Sequence, residues 1–245
     1  MENKPAIQIC FSPELAGSLH SMDDAVVVVT DVLRATTSMI VALAGGVKAV
    51  IPVSALDEAV AYKQRGYMLA GERGGQKLEF ADFGNSPEEL LRADLADKKL
   101  VFTTTNGTRA IHTARSIGSE VYIGGFINLS ALASRLEKLL KPVVILCSGW
   151  NGAFCMEDTL FAGAMAEKLM ASGKFILLDD AAHASVRLWQ DAEGNPMVFA
   201  EASAHLQRLR RLGAAADIQY AFQQDIFRIV PVLQGEEICI LHPSG

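Results

Sequence analysis

Four short stretches of the chain gather the residue types that do chemistry. "TDVLRATT" (30–37) sets Asp31 and Arg34 among Thr30, Thr36 and Thr37. "AGERGGQKLEFADFGNSPEEL" (70–90) holds Glu72 and Arg73 in a glycine frame and then Asn85 in "GNSP". "TTTNGTRA" (103–110) offers four threonine hydroxyls, Asn106, Arg109 and the backbone of Gly107. "CSGWNGAFCMEDT" (147–159) supplies Ser148, Gly149, Asn151 and Gly152, followed by Glu157 and Asp158. Carboxylates beside anion donors suit a hard divalent cation such as Mg²⁺, which takes few protein ligands and bridges a substrate phosphate. The residue types therefore favour phosphoryl chemistry. Neither GxxxxGK[ST] nor GxGxxG occurs, which argues against both standard nucleotide sites.

Each stretch follows an apolar run, and that placement gives the islands a common address. "AIQICF" (6–11), "AVVVVT" (25–30), "VKAVIPV" (47–53), "KLVFTT" (99–104), "EVYIGG" (120–125) and "PVVILCS" (142–148) read as continuous apolar segments. Strands buried on both faces of a parallel sheet have this pattern. Helical stretches alternate with them, including "TTSMIVALAGG", "SALDEAVAYKQRG", "NLSALASRLEKLLK" and "EDTLFAGAMAEKLMASG". Residues 179–225 read as helical almost throughout, interrupted at 192–196 and Gly213. "FRIVPVL" (227–233) and "EEICIL" (236–241), joined by "QGE", predict an antiparallel hairpin at a sheet edge. The expectation is one layered α/β/α domain over residues 1–245, with a largely parallel central sheet. Ligands of such sheets bind beyond the carboxyl ends of the strands, where the four islands fall.

Simpler roles compete for the same residues. Asp31 could cap the following helix, and Arg34 could pair with Asp31 as a surface ion pair. Glu157 and Asp158 enrich the first turn of a helix, which the helix dipole rewards by itself. The histidines show no HxxxH or HxH spacing, and His20, His112, His183, His205 and His242 are all expected to be structural. The four cysteines form no metal-like spacing, and Cys10 and Cys239 sit in apolar runs, as core residues of a reducing compartment would. A formal net charge of −6 argues against broad nucleic-acid binding, and "QRLRRLG" (207–213) reads as the polar face of a helix. No secretory signal or membrane-length apolar stretch is visible, so a soluble cytoplasmic protein is expected. The terminal hairpin offers an edge through which two copies could pair as a homodimer.

"DVLRATTS", "GERGG", "GNSP", "TTTNGTRA", "CSGWNG…ED" and the later "AADIQYAFQQDIFRIVPVL" (215–233) occur in an order that resembles the 2-phosphosulfolactate phosphatase family. The resemblance spans nearly the whole chain and is weakest over 183–212, where no function is carried over. It implies a distinct α/β fold and Mg²⁺-dependent hydrolysis of 2-phosphosulfolactate to 3-sulfolactate and phosphate, a step of coenzyme M biosynthesis. On this reading Asp31, Arg34 and Glu72 are catalytic. Asp31 and Glu72, with Glu157 or Asp158, hold the metal. Arg73, Asn85, Thr104, Thr105, Asn106, Gly107, Thr108, Arg109, Ser148 and Asn151 bind the small anionic phosphorylated substrate. Three anionic groups on that substrate would account for several separate anion-binding turns. Water is favoured over Asp31 as nucleophile, because the DxDx[TV] signature of aspartyl-phosphate enzymes fails at Leu33. Two alternatives stay open: a phosphatase of another small anionic phosphoester, and a catalytically silent anion-binding protein.

Overall fold

A computed structural model describes residues 4–241, which leaves His242 outside the described residues. Eleven strands form one sheet: β1 (Ala6–Cys10), β2 (Val26–Thr30), β3 (Ala49–Pro52), β4 (Met68–Arg73), β5 (Gln76–Lys77), β6 (Lys99–Thr103), β7 (Glu120–Gly124), β8 (Val143–Cys147), β9 (Ile176–Leu177), β10 (Pro231–Gln234) and β11 (Glu237–Ile240). Ten α-helices accompany them: α1 (Ala35–Ala44), α2 (Leu56–Gln64), α3 (Pro87–Arg92), α4 (Gly107–Ala114), α5 (Leu129–Leu139), α6 (Met156–Ala171), α7 (Asp180–Ala192), α8 (Pro196–Phe199), α9 (Ala204–Arg211) and α10 (Ala215–Ala221). The strand order is β5–β4–β6–β3–β11–β10–β7–β2–β8–β1–β9.

β2 shows why the early strands read as unbroken apolar runs. It lies between β7 and β8, parallel to both, and all of its residues are buried. Val26 and Val28 enter a core shared with α5, α6 and α7, whereas Val27 and Val29 enter a second core shared with α1 and α4. Both faces of the strand are covered, so polar alternation has no place in it. Helices on both sides of a mostly parallel sheet match the layered architecture expected from the sequence.

The C-terminal hairpin forms, but not at an edge. β10 pairs antiparallel with β7 through Val232 and Tyr122, and β11 pairs antiparallel with β3 through Ile238 and Val50. The hairpin is wedged between two parallel blocks, β4–β6–β3, to which β5 adds antiparallel at the outer edge, and β7–β2–β8–β1–β9. Its backbone is therefore occupied on both sides, and the proposed edge-to-edge dimer contact loses its basis. The outermost strands are β5 and β9, each of two residues. No described helix is long and apolar enough to cross a membrane.

α6 is the helix that delivers Glu157 and Asp158, and its seating depends on one glycine. A Cβ placed on Gly163 would lie 2.1 Å from the Ser185 carbonyl oxygen and 2.8 Å from Trp189 Cβ, both on α7. The two helices thus touch backbone to backbone. Gly163→Ala gains helix propensity of up to about 1 kcal/mol but forces the helices apart, at a cost of roughly 1–3 kcal/mol or more. The expected net result is a lower urea midpoint. An unchanged or higher midpoint would show that this contact does not set the packing.

Candidate active site

The four islands meet in one cleft of about 550 Å³ beyond the carboxyl ends of the parallel strands. Its walls carry Asp31, Arg34, Glu72, Asn85, Thr105, Asn106 and Asn151 from the sequence-expected set, joined by Trp150, His205 and Arg208. The turn after β2 is built from its own side chains. The Asp31 amide donates to Thr36 Oγ1 at 3.0 Å, and Thr37 Oγ1 donates to the Val32 carbonyl at 2.8 Å. Asp31 Oδ1 accepts the Ala35 N–H at 3.1 Å and so satisfies a free amide at the start of α1, although the N-cap position itself is Arg34. This bond does not compete with a second role, because Asp31 also lines the cleft.

α4 presses directly on this carboxylate. A Cβ on Gly107 would lie 2.5 Å from Ala35 Cβ and 2.8 Å from Asp31 Oδ2. Gly107 therefore serves close approach, beyond any contribution of its amide. Beside it, Thr104 and Thr108 cap each other: Thr108 N donates to Thr104 Oγ1 at 3.3 Å, and Thr108 Oγ1 donates to the Thr104 carbonyl at 2.9 Å. Both are buried and neither lines the cleft, which leaves Thr105 and Asn106 as the cleft-lining members of that turn. Glu72 ties the turn down: Oε1 accepts the Thr105 N–H at 2.8 Å and Oε2 the Gly75 N–H at 2.5 Å.

The arginines separate. Arg34 does not pair with Asp31. Its Nη1 donates to Asp217 Oδ2 at 2.7 Å and its Nη2 to the Gly75 carbonyl at 3.2 Å. Asp217 Oδ1 in turn accepts from Ser86 Oγ at 2.6 Å, which fixes the guanidinium from α10. Arg73 is turned toward the Glu72 and Ser54 carbonyls and Thr103 Oγ1 and lies outside the cleft wall. Arg109 is half exposed and ion-paired with Glu14 on the outer side of α4. The structure thus places Arg109 away from the cleft wall: its position on the helix surface turns it to the 3-10 turn at 13–18.

Glu157 and Asp158 also diverge, and neither lines the cleft. Asp158 Oδ1 accepts the Val32 N–H at 2.8 Å, while Oδ2 accepts Ser148 Oγ at 3.1 Å and the Gly149 N–H at 3.2 Å. These three donors occupy the carboxylate as a brace between the β2 and β8 loops. Ser148 is spent on the same brace and is buried. Glu157 Oε1 lies 2.6 Å from His205 Nδ1, and Ser203 Oγ donates to Oε2 at 3.3 Å. His205 stacks on Trp150, with ring centroids 5.3 Å apart and planes 22° apart. His205, Arg208 and Asp217 were missed by sequence reasoning. Asp217 falls within the 215–233 block, but the partner of His205 lies 48 residues away and leaves no local spacing to read.

Burial dominates the electrostatics. It pushes the Asp31 carboxyl up to about 6, and the Glu72 charge adds to the effect, against the Ala35 hydrogen bond and the charge of His205. Burial and the charges of Asp31 and Glu157 raise Asp158 well above the usual carboxylate range. At Glu157 burial works upward too, but the hydrogen bond and charge of His205 reverse it and leave the group lowered. Asn85 is buried, lines the cleft, and has an Oδ1 with no partner among the described residues. A buried acceptor without a donor is uncommon and calls for a ligand.

Asp31→Asn keeps an acceptor for the Ala35 N–H and removes a charge that burial and Glu72 disfavour. At neutral pH the metal-free variant should be more stable by on the order of 1–3 kcal/mol, read as a higher calorimetric melting temperature. A lower melting temperature would mean that the charge is stabilising and that the cap depends on it.

A family model described as 2-phosphosulpholactate phosphatase matches residues 10–236. The chain is 42% identical over 213 residues to a protein named probable 2-phosphosulfolactate phosphatase from Caldanaerobacter subterraneus subsp. tengcongensis, covering 85% of this chain and 88% of that one. A protein of the same name from Thermotoga maritima is 39% identical over 206 residues, covering 84% and 88%. Another from Pseudothermotoga lettingae is 38% identical over 229 residues, covering 92% and 95%. The matched segment contains every residue of the cleft wall, from Asp31 to Leu209, and the Asp217 that anchors it, so the chain belongs to the 2-phosphosulfolactate phosphatase family.

Proposed function

We propose that the protein is a Mg²⁺-dependent phosphoric monoester hydrolase that converts 2-phosphosulfolactate to 3-sulfolactate and phosphate. The observation that carries this reading is the division of the cleft wall. Asp31, Glu72 and the orphan Oδ1 of Asn85 offer oxygen acceptors, while Arg34, Arg208 and His205 offer cationic or proton-donating groups. A pure anion binder gains nothing from two carboxylates in its pocket. The names of the relatives supply the substrate.

The donor set fits magnesium. Asp31, Glu72 and Asn85 present only oxygens, the chemistry this ion prefers, and Asp31 is a crowded carboxylate for which a cation would relieve the repulsion. Asp31, Glu72 and Asn85 would hold the ion, which supplies charge neutralisation at the phosphoryl oxygens. Arg34 enters with its direction already set, because Asp217 and the Gly75 carbonyl each take one nitrogen. A guanidinium has five N–H donors in a fixed fork. Those left after these two bonds are available to an anionic group of the substrate. Thr105, Asn106 and Asn151 supply neutral donors around it. Asn151 holds φ at +53°, a left-handed value that Asn tolerates, and lines the cleft. Water is the nucleophile in this reading, as one Asp31 oxygen is already bound to α1.

Phosphate release from 2-phosphosulfolactate should require a divalent cation and stop on chelation. Asp31→Asn should lose at least about 100-fold in kcat/KM, although the metal-free fold is not weakened. Arg34→Lys should raise KM by roughly 10–100-fold, the loss of one or two charge-assisted bonds. Activity indifferent to chelation would remove the metal from the reading. Equal turnover of the ester lacking the sulfonate would remove the substrate assignment, and silence toward every phosphoester would favour an anion-binding protein.

A further inference from the structure

We infer that His205 is the proton donor to the leaving oxygen, and that Glu157 is the residue that positions it. The inference rests on the phosphomonoesterase reading and deepens it.

The imidazole is held by Glu157 and Trp150, and Ser203 holds Glu157 in turn. Glu157, fully buried at the first turn of α6, sits 2.6 Å from Nδ1. Ser203 Oγ caps α9 by accepting the Leu206 N–H at 3.3 Å and holds the other Glu157 oxygen. Trp150 stacks on one face of the ring. With Nδ1 directed at a buried carboxylate, Nε2 is the remaining nitrogen, and it has no hydrogen-bond partner among the described residues. The side chain is 11% exposed, on the wall that also carries Asp31 and Arg34. A carboxylate that orients a histidine through one nitrogen while the other faces the reacting group is the general logic of a catalytic dyad.

The chemistry needs such a group. The ester oxygen of a secondary alcohol leaves poorly, and charge builds on it as the phosphoryl group departs. The alternatives on the cleft wall do not serve. Arg34 and Arg208 hold their protons too tightly, and the amides and hydroxyls are not acids in the working range. Asp31 and Glu72 are committed to the cation. Cys155 Sγ lies 3.8 Å from His205 Nδ1 and, with Glu157, completes a trio of metal-ligand types within 4.8 Å. Yet the 2.6 Å separation of Glu157 and His205 is that of a direct hydrogen bond. Two ligands of one tetrahedral ion about 2 Å from each would stand roughly 3.3 Å apart. The pair is therefore set for proton transfer rather than metal sharing.

The step balances as follows. Water forms a new P–O bond and keeps both protons on the phosphate. The old P–O bond breaks with its electron pair on the ester oxygen, which takes the Nε2 proton and leaves as the alcohol. His205 is left as neutral imidazole. One proton of the dihydrogen phosphate then returns to His205, and monohydrogen phosphate departs.

A series of phosphomonoesters, from nitrophenyl phosphate through phenyl phosphate to alkyl phosphates, tests this on the intact protein with Mg²⁺. His205→Gln should lower kcat on alkyl esters by about 10²–10⁴-fold and progressively less as the leaving group improves, with KM little changed. Glu157→Gln should tilt the series in the same direction by a smaller factor, which a merely structural Glu157 would not do. A uniform loss across the series would overturn the proposal, since a water-activating base, a substrate clamp or a misfolded variant acts on every ester alike. No loss at all would overturn it too. If the wild-type protein releases phosphate from no ester, the phosphatase reading falls and takes this one with it, whereas a uniform loss removes only the role of His205.

Discussion

Asp158 is the brace on which the cleft depends. It stands on the first turn of α6, where free N–H groups and the helix dipole favour a carboxylate. From there it accepts the Val32 N–H of the turn after β2 and two donors of the turn after β8. One side chain thus sets the spacing between the loop that carries Asp31 and the loop that carries Trp150 and Asn151. Three donors do not cancel the cost of burial, and Asp158 remains raised by desolvation and by its acidic neighbours. The scaffold accepts this load behind the cleft wall, as sites with perturbed carboxylates commonly do.

A second set of links closes the cleft from the C-terminal helices. Asp217 on α10 holds Arg34 and Ser86, Arg208 on α9 donates to the Gly74 carbonyl, and His205 on α9 meets Glu157. These contacts join residues that are distant in sequence, and each ends on a charged group or a backbone carbonyl near the cleft. α9 and α10 therefore form a wall whose position depends on the polar floor beneath it. The hairpin that follows them is locked between β3 and β7, so the same chain segment that roofs the site also joins the two parallel blocks of the sheet.

The strands were legible because a buried parallel sheet demands apolar residues on both faces, and Val26 to Val29 feed two cores in alternation. The polar islands were legible because strand ends are where polar groups can meet a ligand. The fine roles were not. Arg73, Thr104, Thr108 and Ser148 have the right types and the right turns, yet their polar atoms are taken up in bracing those turns. Arg109 faces outward because the α4 position it occupies is on the solvent side. His205 was passed over as a lone helical histidine, since what gives it meaning is a carboxylate and an indole brought near by tertiary packing. The hairpin was legible as a hairpin, but its neighbours in the sheet are set by topology, which local pattern does not encode.

Glu157 and Asp158 show why adjacency in sequence misleads about a site. Consecutive residues on an α-helix point about 100° apart, so two neighbouring carboxylates serve different walls more easily than one ion. Here one goes to the strand loops and the other to α9. The same geometry that removes them from the cleft wall lets a single helix turn fix two halves of the cleft at once. The carboxylates that line the cleft are then Asp31 and Glu72, while His205 and Arg208 come from α9. On the proposed function, a substrate with anionic groups at both ends would lie across this divide, its phosphoryl group on the acid side and its leaving oxygen toward the imidazole. Positioning of that kind needs rigidity more than reactivity, and the buried carboxylate pair at the start of α6 supplies it.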